Sequence, residues 1–281
     1  MTKQKTEFFV ADPAGNITIM VVSPVKRKNY AKVAKQLLAL EEYKGEQVGF
    51  IREKPEDADG SMEMCGLEFC GNAGRSFALY LAGRGEGHPL CTQEAGSDER
   101  ELLIRVSGSD KPVRTIVNPK NSYAGIFMPL PKKIDMVVGS EDDELNGSIV
   151  VDFEGITHMI LEDVKASDET FEKVKKYINR EYNNPPCIGA MFYDIKNDYM
   201  VPVVYVRDVD TTYYEGSCGS GTCAAGISRC VGRLNDTYRY EIKQPRGSLT
   251  VAVTMQDGRP AAVSVEGTVK IGDIHSVDIE I

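Results

Sequence analysis

The sequence predicts a mixed α/β (α+β) chain built from a duplicated unit, each copy a curved sheet or barrel around one buried helix. Three observations carry that expectation. Four segments recur in the same order at an offset of about 140 residues. Two segments are apolar on nearly every helical face, which marks buried helices. The remaining apolar runs are short and read as strands.

The repeat is visible element by element. Gly15 precedes the apolar run Ile17 to Val22, and Gly155 precedes Ile156-Thr157-His158-Met159-Ile160-Leu161. An amphipathic helix is expected from Asn29 to Tyr43, with Val33, Leu37, Leu38 and Leu40 on its apolar side. Its counterpart is expected from Ser167 to Tyr182. There Ser167 is the N-cap, Asp168 and Glu169 follow, and Lys173, Lys175, Lys176 and Arg180 lie toward the far end, as the helix dipole favours. Val48-Gly49-Phe50 matches Ile188-Gly189-Ala190-Met191-Phe192. Cys70-Gly71-Asn72-Ala73-Gly74-Arg75 matches Cys218-Gly219-Ser220-Gly221-Thr222-Cys223. Beyond each Cys-Gly lies an all-apolar stretch, Phe77 to Ala82 and Ala224 to Val231. Leu102 to Val106, Ser148 to Val151, Val201 to Val206 and Leu249 to Val253 read as strands. The segments Arg84 to Arg100 and Glu141 to Glu144 read as solvated loops. The proline-punctuated Met128-Pro129-Leu130-Pro131 divides the chain. One lobe is expected over 1–127, with a returning strand over 269–281, and a second over 128–268. The active site is expected in the cleft between them.

Composition narrows the function. The chain has 281 residues, 42% of them hydrophobic and 27% charged, which fits a folded protein of about two domains. A net charge of −9 without a basic stripe argues against nucleic acid as a partner. No apolar run approaches the ~20 residues that span a bilayer, and the N-terminal run is too short for a signal-peptide core. A cytoplasmic location is therefore expected. Seven cysteines, an odd number in a chain of this size, read as free thiols in a reducing compartment.

Cys65, Cys91, Cys187, Cys223 and Cys230 read as small buried hydrophobes. Cys70 and Cys218 differ, because each occupies the same place in the repeat and each starts a helix before glycine and small polar residues. A helix N-terminus carries unpaired N–H donors and partial positive charge, so it binds carboxylates and lowers a thiol pKa. Two such thiols facing one small carboxylate suit removal of a proton from one face of a carbon and delivery to the other. Three other readings compete. Metal binding by the Cys-x4-Cys pairs Cys65/Cys70 and Cys218/Cys223 is disfavoured, since five helical residues turn ~500° and the thiols diverge. A phosphate cradle over Gly219-Ser220-Gly221-Thr222 lacks the lysine of a P-loop. A Cys–His nucleophile finds only His88, His158 and His275, none tied by spacing to either cysteine. His158 reads as a structural hydrogen-bonder.

Glu68-Phe69-Cys70-Gly71-Asn72-Ala73 and Ser217-Cys218-Gly219-Ser220-Gly221-Thr222 resemble the paired cysteine motifs of diaminopimelate epimerase, of the cofactor-independent racemases. The likeness runs through nearly the whole chain, including Gly15-Asn16, Glu46 to Phe50, the turn at Gly155 to His158, and Gln244-Pro245-Arg246-Gly247-Ser248. It implies a diaminopimelate epimerase-like fold and an isomerase that inverts an α-carbon without pyridoxal phosphate, metal or other cofactor. It implies Cys70 and Cys218 as the acid/base thiols, and Asn16, Gln47 and Asn72 lining the substrate. It further implies Gly71, Gly219, Ser220 and Gly221 as backbone donors to the carboxylate, and a homodimer. The chain departs from that pattern where diaminopimelate epimerases carry an arginine for the distal carboxylate. Here Asp208 to Gly216 contains none, and the Gly-Asn-Pro-His turn becomes Gly155-Ile156-Thr157-His158. Loss of that charge-assisted contact argues against diaminopimelate. Gly15 to Ile19, Glu46 to Phe50, Glu68 to Ala73 and Glu215 instead resemble the histidine racemases of staphylopine-type metallophore synthesis. There Glu46 would hydrogen-bond an imidazole or amino group. The expected function is histidine racemisation. A racemase of another amino acid, a same-fold isomerase of a non-amino acid and a two-lobed amino-acid-binding module are the alternatives.

Overall fold

The computed structural model describes residues 3–85, 88–89 and 98–281, in two compact units. Unit 1 comprises Met1–Phe127 and Glu266–Ile281, and unit 2 comprises Met128–Val265. The chain is a mixed α+β protein with four α-helices among the described residues: α1 (Tyr30–Leu38), α2 (Gly71–Gly83), α3 (Asp168–Glu181) and α4 (Gly219–Ser228).

In unit 1, strand Lys3–Asp12 pairs antiparallel with Thr18–Val21 on one side and with Lys270–Ile271 and His275–Glu280 on the other. Thr18–Val21 then pairs parallel with Gln47–Arg52, in register Thr18 to Gln47, and α1 makes the crossover that parallel pairing requires. α1 buries Tyr30, Val33, Ala34 and Leu37, the i, i+3, i+4, i+7 face, against Phe8, Val48 and Phe50. It is shorter than the expected 29–43. Leu38 falls off that face and is exposed. The chain leaves the helix at Leu40 (ψ 85°) and closes a separate 3-10 turn over Glu41–Tyr43. Gln47–Arg52 continues antiparallel to Gly60–Met64, which pairs parallel with Arg100–Val106 across a second crossover holding α2. Val113–Asn118 and Tyr123–Phe127 complete the meander. α2 packs against Lys3–Asp12, Gly60–Met64, Arg100–Val106, Val113–Asn118, Tyr123–Phe127 and Lys270–Ile271, so strands cover it on all sides. That is why Phe77, Ala78, Leu79 and Ala82 are all buried.

Unit 2 repeats the same local logic. Lys133–Met136, Ile149–Asp152 and Ile156–Glu162 run antiparallel in sequence. Ile156–Glu162 then pairs parallel with Cys187–Asp194, with His158 opposite Gly189, and α3 is the crossover. Ser167 caps α3 as expected, its Oγ accepting from the Thr170 N–H at 3.1 Å. Tyr199–Val206, Thr211–Tyr214, Asp236–Gln244 and Gly247–Gln256 extend the pairing. α4 packs on Gly247–Gln256, Ile156–Glu162, Ile149–Asp152, Cys187–Asp194 and Asp236–Gln244 and is buried throughout except near Ser220. It stops at Ser228, and Val231, expected on the buried helix, is half exposed.

Two loop expectations are revised. Glu144, in the acidic run, is pinned by Lys173 Nζ at 2.7 Å and so ties its loop to the first turns of α3. In the segment 84–100, His88–Pro89 pairs with Arg100–Glu101. Residues 86, 87 and 90–97, with Cys91 among them, lie outside the described residues. No helix among the described residues is long and apolar enough to cross a membrane.

Candidate active site

Each unit holds one cysteine at the start of its buried helix. Cys70 is the N-cap of α2, with extended backbone (φ −131°, ψ 108°), and its Sγ accepts from the Ala73 N–H at 3.5 Å. Cys218 is the N-cap of α4 in the same conformation (φ −122°, ψ 112°), and its Sγ accepts from the Gly221 N–H at 3.4 Å. Sulfur thus stands where serine, threonine or aspartate usually caps a helix, and faces the positive end of the dipole. The third-residue N–H is engaged by the sulfur in both helices, Gly221 included. The N–H groups of Gly71, Asn72, Gly219 and Ser220 come first in each helix and have no intrahelical carbonyl to reach. They are suited to an external anion.

The surroundings of Cys70 come from the strand after α1. Gln47 Nε2 donates to Thr18 Oγ1 at 2.8 Å and to Cys70 Sγ at 3.4 Å, while its Oε1 lies 3.5 Å from the same sulfur. One amide therefore offers a donor to the thiolate and an acceptor to the thiol. A base that cycles between those states needs both. Glu46 is exposed, and its Oε1 accepts from the Ile17 N–H at 3.4 Å, with Glu46 N donating back to Ile17 O at 2.8 Å. That exchange holds the segment bearing Asn16. Asn16 itself follows a turn in which the Gly15 N–H is bound by Asp12 Oδ1 at 2.8 Å. Asn72 is buried in the first turn of α2, its Oδ1 accepting from Arg75 Nε at 3.2 Å.

The surroundings of Cys218 are different. Its N–H donates to Gln244 Oε1 at 2.7 Å, Gln244 Nε2 donates to Thr222 Oγ1 at 2.9 Å, and Thr222 Oγ1 donates to Cys218 O at 2.6 Å. This closed ring fixes the cap. Ser220 Oγ lies 3.6 Å from Cys218 Sγ and 2.9 Å from His158 Nε2. Burial and the nearby Glu215 carboxylate push the Cys218 thiol well up, against smaller opposing effects of Ser220 and the Gly221 N–H. Spacing tied no histidine to a cysteine, and the structure corrects this. Parallel pairing of Ile156–Glu162 with Cys187–Asp194 sets His158 beneath α4, one hydroxyl away from Cys218.

His158 is fully buried, and burial lowers its pKa from 6.5 to about 3, so the ring is neutral. Its Nδ1 has no hydrogen-bond partner among the described residues. An unpaired lone pair costs less than an unpaired N–H, so we assign the proton to Nε2, donating to Ser220 Oγ. The Ser220 hydroxyl is then free to donate toward Cys218. The unfolded chain takes up a proton at His158 below pH 6.5 and the native state only near 3, so stability falls as pH drops through that window. The expected loss is about 1.4 kcal/mol per pH unit. Urea midpoints measured from pH 7 to 4 should show this slope in the parent and a shallower one in His158→Gln. Equal slopes would place the His158 proton uptake elsewhere.

Cys65, Cys223 and Cys230 have thiols pushed up by burial, and all six described cysteines are unbridged. Among the described residues no group of three or more His, Cys, Asp or Glu is arranged to hold a metal ion. Sequence reasoning left Glu215 and Gln244 without a role and read His158 only as a structural hydrogen-bonder. Glu215 stands three residues before Cys218, a spacing visible in the sequence. The contact of His158 with Ser220 is visible only in three dimensions.

Comparison with known proteins shows the family and the fold. Residues 5–274 match the family model described as histidine racemase CntK N-terminal domain. A histidine racemase of Fusobacterium nucleatum subsp. nucleatum (strain ATCC 23726) is 34% identical, covering 95% of this chain and 98% of the relative. A histidine racemase of Staphylococcus aureus (strain Mu50) is 27% identical, covering 89% of each. Among solved structures, a hydroxyproline epimerase from Agrobacterium vitis superposes with TM-score 0.65 at 13% identity, over 99% of this chain and 93% of that one. A phenazine biosynthesis protein of the PhzF family from Bacillus anthracis does so with TM-score 0.63 at 16% identity, over 99% of each chain. These structural likenesses establish the fold.

Proposed function

The chain belongs to the histidine racemase family, and from that premise we propose that it interconverts L- and D-histidine with two thiols, Cys70 and Cys218, and no pyridoxal phosphate. The observation that carries this reading is that both cysteines cap buried helices and that each sulfur has neighbours fitted to thiol and thiolate alike.

In one direction the Cys70 thiolate takes the α-proton, and the electron pair of the broken C–H bond passes into the carboxylate. The Cys218 thiol then delivers its proton to the opposite face. The enzyme ends with Cys70 as thiol and Cys218 as thiolate, ready for the other enantiomer. Charge grows on the carboxylate as the carbanion forms, and the reading assigns the N–H groups of Gly71, Asn72, Gly219 and Ser220 to meet it. Gly221 helps indirectly, by capping the Cys218 sulfur. Asn16 and Glu46 are assigned to the amino group or imidazole, since Glu46 precedes Gln47 and Asn16 leads into the segment that Gln47 and Glu46 contact. The reading requires that Cys70 and Cys218 address one α-carbon from opposite faces. A free amino acid is taken as the partner and a homodimer as the working assembly, and the unbridged cysteines fit a reducing cytoplasm.

Chiral chromatography of each L-amino acid after incubation with reduced enzyme tests this. Histidine is expected to racemise and diaminopimelate to remain unchanged. Turnover of a different amino acid in place of histidine would overturn the substrate. Replacing Gln47 by leucine removes both of its contacts to Cys70. Hydrogen bonds to charged groups contribute about 1.5–3 kcal/mol, so kcat should fall roughly 10- to 100-fold with KM little changed. A KM effect alone would make Gln47 a binding residue.

A further inference from the structure

Among the described residues, Arg75 is the largest side chain with no exposure, and it lies in the second turn of the helix that Cys70 caps. Arginine is almost never fully buried unless paired with an acid. Among the described residues, Arg75 instead donates only to neutral oxygens: Asn72 Oδ1 at 3.2 Å, the Thr268 carbonyl at 3.5 Å, and the Pro13 carbonyl. These contacts join three segments around the Cys70 half-site, namely the first turn of α2, the turn leading to Asn16, and the end of the strand Arg259–Thr268. The Nε contact also settles the Asn72 amide, because Oδ1 faces the guanidinium and Nδ2 is turned away from it.

The repeat supplies a control within the same chain. The offset that aligns Cys70 with Cys218 aligns Arg75 with Cys223, which is neutral and buried inside α4. Unit 1 therefore has a buried cation five residues after its cysteine. Unit 2 has an uncharged thiol there and the Glu215 carboxylate beside its cysteine.

We propose that Arg75 is a positioning residue which, by clasping Pro13, Asn72 and Thr268 inside the helix that Cys70 caps, with no carboxylate among the described residues in hydrogen-bond contact, makes Cys70 the ionised thiol of the resting enzyme and leaves Cys218 protonated. The inference rests on the reading of Cys70 and Cys218 as the two acid/base thiols. Burial lowers the Arg75 pKa to about 10, and the largest opposing influence is a negative charge at Cys70. That interaction is mutual, so the guanidinium favours the thiolate. The titratable groups that act against a Cys70 thiolate are Asp12, Tyr123 whose hydroxyl donates to Glu266, Glu68 two residues before Cys70, and Glu46 beside Gln47. Arg75 must outweigh them. The enantiomer whose α-proton faces Cys70 then meets a resting enzyme already in the required state.

The test is the pH dependence of iodoacetamide alkylation, followed at the Cys70 and Cys218 peptides by mass spectrometry. It uses whole, reduced enzyme without substrate. In the parent, the Cys70 midpoint is expected at least one pH unit below that of Cys218. Arg75→Gln should raise the Cys70 midpoint by about one unit, so that alkylation at pH 6.5 slows roughly tenfold. Arg75→Lys should recover most of the shift by restoring charge without the fork. A parent midpoint for Cys70 at or above that of Cys218 overturns the proposal, even if Arg75→Gln fails to fold. So does a folded Arg75→Gln with an unchanged Cys70 midpoint. Racemisation with Cys70 titrating no lower than Cys218 sinks this inference alone. A low Cys70 midpoint without histidine turnover sinks the racemase reading alone.

Discussion

Replacing Cys218 with serine is expected to lower histidine racemisation by at least ~10³-fold, and Cys70→Ser to do the same, while both proteins keep their fold. Serine preserves the cap, since its Oγ accepts the same helix N–H groups that now meet sulfur. The chemistry does not survive, because an alcohol is a far weaker acid than a thiol and gives no useful base near neutral pH. The two variants should nonetheless differ in what remains. With one thiol intact, a bound enantiomer can still exchange the α-proton that faces it, without inversion. Cys70→Ser should leave exchange only in the enantiomer facing Cys218, and Cys218→Ser only in the other. Polarimetry reads the lost inversion, and NMR in D2O reads the residual exchange. Near-parent racemisation by either single variant would end the two-thiol account.

The second large effect is expected at Gly189, in the strand Cys187–Asp194. A Cβ added there would lie 2.1 Å from His158 Nδ1, a distance no side chain tolerates. The imidazole cannot simply step aside. It is fully buried, held by Ser220, and lies edge-on to Phe153 at 6.1 Å between ring centres. Gly189→Ala should therefore cost about 1–3 kcal/mol, as overpacking of cores does. It should also pull the imidazole off Ser220 and so loosen the donor to Cys218. Urea denaturation measures the first effect and kcat the second. A variant of unchanged stability would mean that the strands part here without strain. Lost stability with kcat intact would detach His158 from the chemistry.

What the sequence revealed about this molecule was mostly local. A cysteine followed by glycine and then an apolar run is a helix start with a sulfur cap, and both cases fold that way because cap and helix lie within a few residues. The crossover helix α3 was legible because Ser167, the acidic first turn and the basic far end all act within one helix. The first helix was read too long because Leu38 and Leu40 add hydrophobicity without adding to the face set by Val33, Ala34 and Leu37. The cysteine neighbourhoods were less legible. Gln47 reaches Cys70 only because its strand pairs parallel with Thr18–Val21, and Gln244 and His158 reach the Cys218 region from strands far along the chain. Arg75 belongs to the first Cys-Gly motif, yet nothing in one sequence distinguishes a buried arginine from the usual exposed one. Its environment is made by Pro13 and Thr268, at opposite ends of the chain.

The central claim is inversion by two separate thiols, and the most direct measurement is the isotope content of both enantiomers early in the reaction. L-histidine is incubated with reduced enzyme in D2O, and the first few per cent of conversion is analysed after chiral separation. Two bases predict D-histidine carrying deuterium at the α-carbon from the first turnover, while recovered L-histidine keeps its proton. D-histidine that retains protium, or deuterium entering recovered L-histidine as fast as product, would show one base serving both faces and would contradict the account.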